Sequence, residues 1–238
     1  MKFLPALILA LMLPSAAPAE DAAPGKQIAQ EITSVSGPVK FWLWLPENPP
    51  PEGAPLLLFL HGAGERGTDL ALVKKHGPPK LVEKMTELQP FIIVSPQCPP
   101  ERWWDVDQVF DLAEAIAIKY KADRSRLYLT GLSMGGYATW TLTAKHPTYF
   151  AAAIPICGGG NPADAIKLKD LPLRVFHGAK DSSVPVQKSQ EMVDALKAAG
   201  ATDVNLTIFP DLAHESWPPV YADAKTYAWL LSKRKAQP

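Results

Sequence analysis

An α/β fold is expected from this chain: a mostly parallel central sheet flanked by helices, without a lid domain. Three features lead there. Six short apolar runs follow residue 55, each of a length suited to a strand buried on both faces. Stretches of helical period separate them. The link between the fourth and fifth runs, from Ile156 to Leu173, is too short for a helical lid.

Taken in order, the N-terminus comes first. Lys2, the apolar Phe3–Leu13 and the small-residue Ala17–Ala19 have the three parts of a secretory signal peptide. Residues 1–19 are thus expected to be a leader, and 20–238 a single exported domain, periplasmic or extracellular. The apolar stretch is too short for a stable membrane anchor. A strand at Phe41–Pro46 is expected to pair with one near Ile28–Val35, with Gly37-Pro38 as the turn. The apolar runs are Leu56–Leu60, Phe91–Ser95, Leu127–Thr130, Ala151–Ile156, Leu173–Phe176 and Leu206–Phe209. Between Asp105 and Tyr120, Val109, Phe110, Ala113, Ile116 and Ala117 share one helical face, with Asp105 as N-cap. A second helix opens near Pro185 and closes on Gly200. The stretch Lys80–Leu88 has a helical look, and Tyr221–Lys235 reads as one last amphipathic helix.

Charge excludes some partners. Lys plus Arg and Asp plus Glu number 24 each, so nothing marks the chain for nucleic acid or for acidic membranes. Export makes a disulfide possible, but Cys98 and Cys157 each follow an apolar run, and strand order decides whether they meet. Two free thiols are the preferred expectation.

The chemistry concentrates where strands end. "HGAGERG" (His61–Gly67) has the G-x-G-x-x-G spacing of a dinucleotide loop. That reading requires an acidic residue at the end of the next strand, and "FIIVS" is followed by "PQC". The remaining use for such a loop is an oxyanion hole. Gly131-Leu132-Ser133-Met134-Gly135 is G-x-S-x-G between a strand and a helical stretch, the setting that exposes a strained nucleophilic serine. Serine needs a base, and the base needs a carboxylate. His214 lies on the loop after the last apolar run, where it can reach over Ser133. His146 lies at the far end of the helix after Ser133, and His177 closes a strand, where it helps shape a turn. Asp181, just after that strand, is the expected acid in preference to Asp211. Ala63 N–H, with Gly64 as rival, and Met134 N–H are the expected oxyanion donors. This chemistry requires no metal or cofactor, and the histidines lack metal-ligand spacing.

With these residues assigned, the chain resembles an α/β-hydrolase. More narrowly, it is similar to secreted single-domain esterases of the carboxylesterase/phospholipase, feruloyl-esterase and polyhydroxybutyrate-depolymerase-like group. "LHGAGERG", "GLSMGGYATW", "HGAKDSSVP" and "AHESW" carry the resemblance, which runs from about Val39 to Lys235. It implies hydrolysis of small or polymer-linked carboxylic esters through an acyl-enzyme. A prolyl-oligopeptidase-like serine peptidase and a non-catalytic binding protein on the same fold are the alternatives. Dienelactone hydrolases are similar in size, but that family's nucleophile is cysteine where this chain has Ser133. Trp103, Trp104 and Trp217 suit an open cleft as well as a core covering, and Trp104 and Trp217 are the expected substrate-binding pair.

Overall fold

Residues 23–34 and 37–235 are described by a computed structural model; the leader expected at 1–19 lies outside them. In chain order the strands are β1 (Gln27–Ser34), β2 (Gly37–Trp44), β3 (Leu56–Leu60), β4 (Ile92–Pro96), β5 (Leu127–Leu132), β6 (Ala152–Ile156), β7 (Leu173–Gly178) and β8 (Val204–Phe209). They form one sheet in the order β1-β2-β4-β3-β5-β6-β7-β8. β1 and β2 pair antiparallel, as do β2 and β4; every later pairing is parallel. The helices are α1 (Gly77–Leu81), α2 (Val106–Lys119), α3 (Met134–Lys145), α4 (Ala165–Leu168), α5 (Gln187–Ala198), α6 (Trp217–Tyr221) and α7 (Ala224–Leu231).

β3 shows why apolar runs form the middle of this sheet. All five of its residues are buried. Leu56, Leu58 and Leu60 face one core with α2, α3, α4 and α5, while Leu57 and Phe59 face a second core with α6 and α7. Side chains on a strand alternate between faces, so only a continuous apolar run can fill both.

Each of the six runs became a strand. Boundaries moved where turn chemistry intervened. Gly37 and Pro38 lie within β2, opposite Ser34 and Thr33, rather than forming the turn. Proline is tolerated there because β4 pairs with β2 only from Phe41 onward. The helix expected over Tyr221–Lys235 is shorter and separate from α6, because Asp223 caps α7 by accepting the Lys225 amide at 2.9 Å. The helical look of Lys80–Leu88 yields only the end of α1 and a 3-10 turn at Thr86–Leu88.

Strand order also answers the cysteine question. Cys98 follows β4 and Cys157 follows β6, with β3 and β5 between. Three strand spacings put them roughly 14 Å apart, beyond disulfide reach. Both are free and buried. Among the described residues, no helix is long and apolar enough to cross a membrane.

The chain passes from β3 to β4 on one side, then returns to place β5 on the other side of β3. The loops after β3 and β5 therefore part at one point above the sheet. Such a switch point is where an open α/β sheet has room for a ligand.

Candidate active site

The strand-to-helix bend after β5 is built by glycine. Ser133 has φ 53° and ψ −117°, a region disfavoured for any residue with a Cβ, at a cost of about 1–3 kcal/mol. The bend is tight enough that a Cβ on Gly131 would lie 2.3 Å from Gly135 O. One on Gly135 would lie 2.0 Å from Leu60 O, and one on Gly136 would lie 2.4 Å from Ile156 O. The surrounding backbone thus holds Ser133 in its strained form. Its hydroxyl stands half-exposed at the start of α3.

Two loops bring partners to it. His214, on the loop after β8, accepts the Ser133 hydroxyl proton at Nε2 (2.9 Å) and donates from Nδ1 to Asp181 Oδ2 (2.7 Å). Asp181 Oδ1 accepts the amides of Ser183 and Val184, each at 2.8 Å. Burial alone would raise the Asp181 carboxyl. The bond from His214 and those two amides outweigh it, and the carboxyl is held below its ordinary range. The rival acid, Asp211, is instead paired with Lys180 at the surface.

His177 has a larger part than turn-shaping. It is fully buried, with Nε2 at 2.9 Å from Val184 O and 3.2 Å from Asp181 Oδ2. Both partners are acceptors, so Nε2 carries a proton. Nδ1 meets Ser189 Oγ at 2.8 Å, and Ser189 lies 3.0 Å from Gly158 O. One buried ring thus ties the Asp181 loop to α5 and to the loop after β6. Its sequence signal was a histidine directly after the run Leu173–Phe176.

Opposite the bend, Ala63–Glu65 form a single 3-10 turn, not the long helix that would follow a dinucleotide loop. A Cβ on Gly62 would come within 3.5 Å of Ser133 Cβ, so this loop borders the serine directly. Ala63 and Met134 each begin a helical turn, where an amide has no acceptor within its own helix. The Gly62 amide is taken by Glu65 Oε2 at 3.1 Å. The loop after β4 secures the turn from outside: Gln97 Nε2 donates to Glu65 O and Asp69 O, and Gly67 N donates to Cys98 O.

His61 locks the two loops together, a task not evident from the sequence. Its Nδ1 donates to Gly62 O at 2.6 Å, and its Nε2 accepts the Cys98 amide at 3.0 Å. Burial lowers its pKa to about 4, against 6.5 for an ordinary histidine. Between those values the unfolded chain binds more protons than the folded one, so stability falls as pH drops through that window. The loss is expected to reach roughly 3 kcal/mol by pH 4. Asp181 acts lower, since its depressed pKa removes stability only as pH falls past the unfolded value of 3.8. Urea midpoints from pH 7 to 4.5 separate the two. His61→Gln should be less stable at pH 7 but flatter across that range, and equal slopes would remove His61 as the cause.

The three tryptophans take different positions around the site. Trp104 Nε1 donates to His61 O at 3.2 Å, and its ring lies 4.7 Å from the His61 ring. Trp217 is 6% exposed, with its ring edge-on to His214 at 5.6 Å and to His76 at 5.4 Å. Trp104 is half-buried and braces the loop, while the buried Trp217 braces the histidine. Trp103 is 65% exposed, edge-on to Tyr137 at 6.0 Å.

One further group lies close by. Cys157 Sγ, an Asp181 oxygen and a His214 ring nitrogen fall within 4.8 Å of one another. Burial pushes the Cys157 thiol up to about 12, so it is neutral at physiological pH. His214 and Asp181 are already bonded to each other. The group therefore does not read as a ready ligand set.

A serine at a bend between β5 and α3, above a mostly parallel sheet of this order, places the chain in the α/β-hydrolase class. Residues 100–228 match the Dienelactone hydrolase family, and the chain belongs to that family. The expectation that set it apart from dienelactone hydrolases is thereby corrected: a serine at the bend does not remove a chain from this family. A carboxymethylenebutenolidase-type protein of Methylorubrum extorquens is 30% identical over 122 residues, 46% of this chain and 42% of that protein. The bifunctional acetylxylan esterase/xylanase of Neocallimastix patriciarum is 27% identical over 154 residues, 61% of this chain and 22% of that protein. Among solved structures, a thermostable esterase is 32% identical with a TM-score of 0.76, over 87% of this chain and 63% of that one. The chain spans less than half the length of these two curated relatives.

Proposed function

We propose that the protein is an exported serine hydrolase that cleaves carboxylic esters, with Ser133 as nucleophile, His214 as base and Asp181 as orienting acid. The observation that carries this reading is the continuous bonding from Ser133 Oγ through His214 to Asp181, at 2.9 and 2.7 Å. In the first step His214 Nε2 takes the hydroxyl proton as Ser133 Oγ bonds to the ester carbon. The carbonyl oxygen becomes an anion, held by the amides of Ala63 and Met134. As the carbon–oxygen bond to the alcohol breaks, His214 returns the proton to the leaving oxygen. Water, deprotonated by the same nitrogen, then attacks the acyl-enzyme and frees the acid and Ser133.

An open mouth supports bulky or polymer-linked esters as substrates. Between β6 and β7 the chain has room only for the 3-10 turn at Pro162–Asp164 and the four-residue α4. The similarity to an acetylxylan esterase/xylanase agrees with that substrate class. The leader at residues 1–19 and export belong to the same proposal.

A fluorophosphonate is expected to label Ser133 in one-to-one ratio, and His214→Ala should abolish the labelling. p-Nitrophenyl acetate should be turned over far faster than peptide anilides. Preference for the anilides would overturn the esterase reading in favour of a peptidase, and absent labelling would point to a binding protein.

A further inference from the structure

Away from the serine, on the sheet face that carries α6 and α7, a groove of about 590 Å³ runs along the last two strands. Pairing of β7 with β8 sets Arg174 opposite Asn205, Phe176 opposite Thr207 and Gly178 opposite Phe209. The rings of Phe176 and Phe209 stack at 6.1 Å with only 13° between their planes, and both are half-buried. They give the groove an apolar stripe of two parallel rings. Asn205 and Thr207 stand on the same side of β8, hydrogen-bonded to each other at 3.2 Å.

Charge in the groove is unevenly satisfied. Asp203 is paired with Lys233 at 2.7 Å, and the Asp223 carboxylate accepts the Lys225 amide. Arg174 is different. Its guanidinium lies over the Trp229 ring, 4.7 Å from the centroid, and among the described residues it has no hydrogen-bond or ion-pair partner. The Lys225 ammonium is likewise unpaired and exposed. An arginine over an indole, with its fork of donors otherwise unused, suits a carboxylate taken by two bonds.

Position links the groove to the catalytic loop. Phe209 ends β8 on the chain that leads to His214, and α6, which lines the groove through Pro219 and Val220, begins with the Trp217 that touches His214. From Phe209 to Asn205 the groove follows β8 for roughly 13 Å.

We propose that this groove binds a polysaccharide chain bearing uronic-acid sugars, with an apolar sugar face against the Phe176–Phe209 stripe and a sugar carboxylate on Arg174. A sugar ring with an apolar face, hydroxyl edges and a carboxylate matches the aromatic stripe, the amide and hydroxyl of Asn205 and Thr207, and the unpaired guanidinium together. That this polymer also bears the scissile ester rests on the esterase reading above; the binding itself does not.

The test uses full-length Ser133→Ala protein, which leaves the polymer intact, run in native gels containing glucuronoxylan, a neutral β-glucan or polyglutamate. Glucuronoxylan should retard the protein at least tenfold more strongly than either other polymer. Arg174→Ala should remove most of that retardation, and Lys225→Ala, at an exposed position where folding is not at stake, should reduce it less. Thermal melting checks that each variant is folded. Equal retardation by the neutral glucan would overturn the role of Arg174. Equal retardation by polyglutamate would reduce the groove to a charged patch, and no retardation by glucuronoxylan would sink the proposal. Because hydrolysis is not read, these outcomes are independent of whether the native protein is an esterase.

Discussion

Ser133→Ala is expected to lower kcat for p-nitrophenyl acetate by about 10⁶-fold, with the protein still folded. In the proposed mechanism the hydroxyl is the bond-forming atom, and among the described residues beside it the one other candidate nucleophile is a cysteine. The Cys157 thiol, just after β6, lies beside Asp181 and His214, but burial keeps it neutral. His214→Ala should cost about as much, and the double variant little more, since the two act as one unit. Asp181→Asn should cost about 10⁴-fold by favouring the wrong His214 tautomer. Single-turnover acylation measures these effects free of product release. A Ser133→Ala enzyme within tenfold of the parent would end the proposed mechanism.

Gly135→Ala should be the most damaging small change in the fold. The added methyl would sit 2.0 Å from Leu60 O and 2.8 Å from His61 O. Both are backbone atoms at the end of β3, so neither can swing aside as a side chain would. The bend and the loop after β3 must then separate. Overpacking of this kind costs about 3 kcal/mol. A shift of about 1 Å between Ser133 and the proposed oxyanion donors should cost a further 10²-fold in kcat. Gly64→Ala is the stability control. Nothing lies within 4 Å of its would-be Cβ, so its unfolding free energy in urea should stay within about 0.5 kcal/mol of the parent. If Gly135→Ala were equally well tolerated, close backbone contact would not be what holds the bend.

Much of this architecture could be read directly from residue order. Runs such as "LLLFL" become strands because a strand buried on both sides must be apolar at every position. The glycines around Ser133 are legible because strained bends need them. Ends of elements were harder. Asp223 starts α7 with a single local hydrogen bond, a signal easily overridden by the apolar period running through it. Proline at position 38 suggested a turn, whereas an unpaired flank of β2 accommodates it.

Local pattern established which residue types stand where a strand gives way to a loop or helix, because periodicity and backbone sterics act over a few residues. Strand order, and hence which strand ends become neighbours, was settled by the packing of the whole chain. That packing brings His214 to Ser133, separates Cys98 from Cys157, buries Trp217, and makes His61 and His177 the buried ties between loops. Burial and hydrogen-bond partners belong to the assembled sheet. They arise from contacts between segments far apart in the chain, which no local spacing encodes.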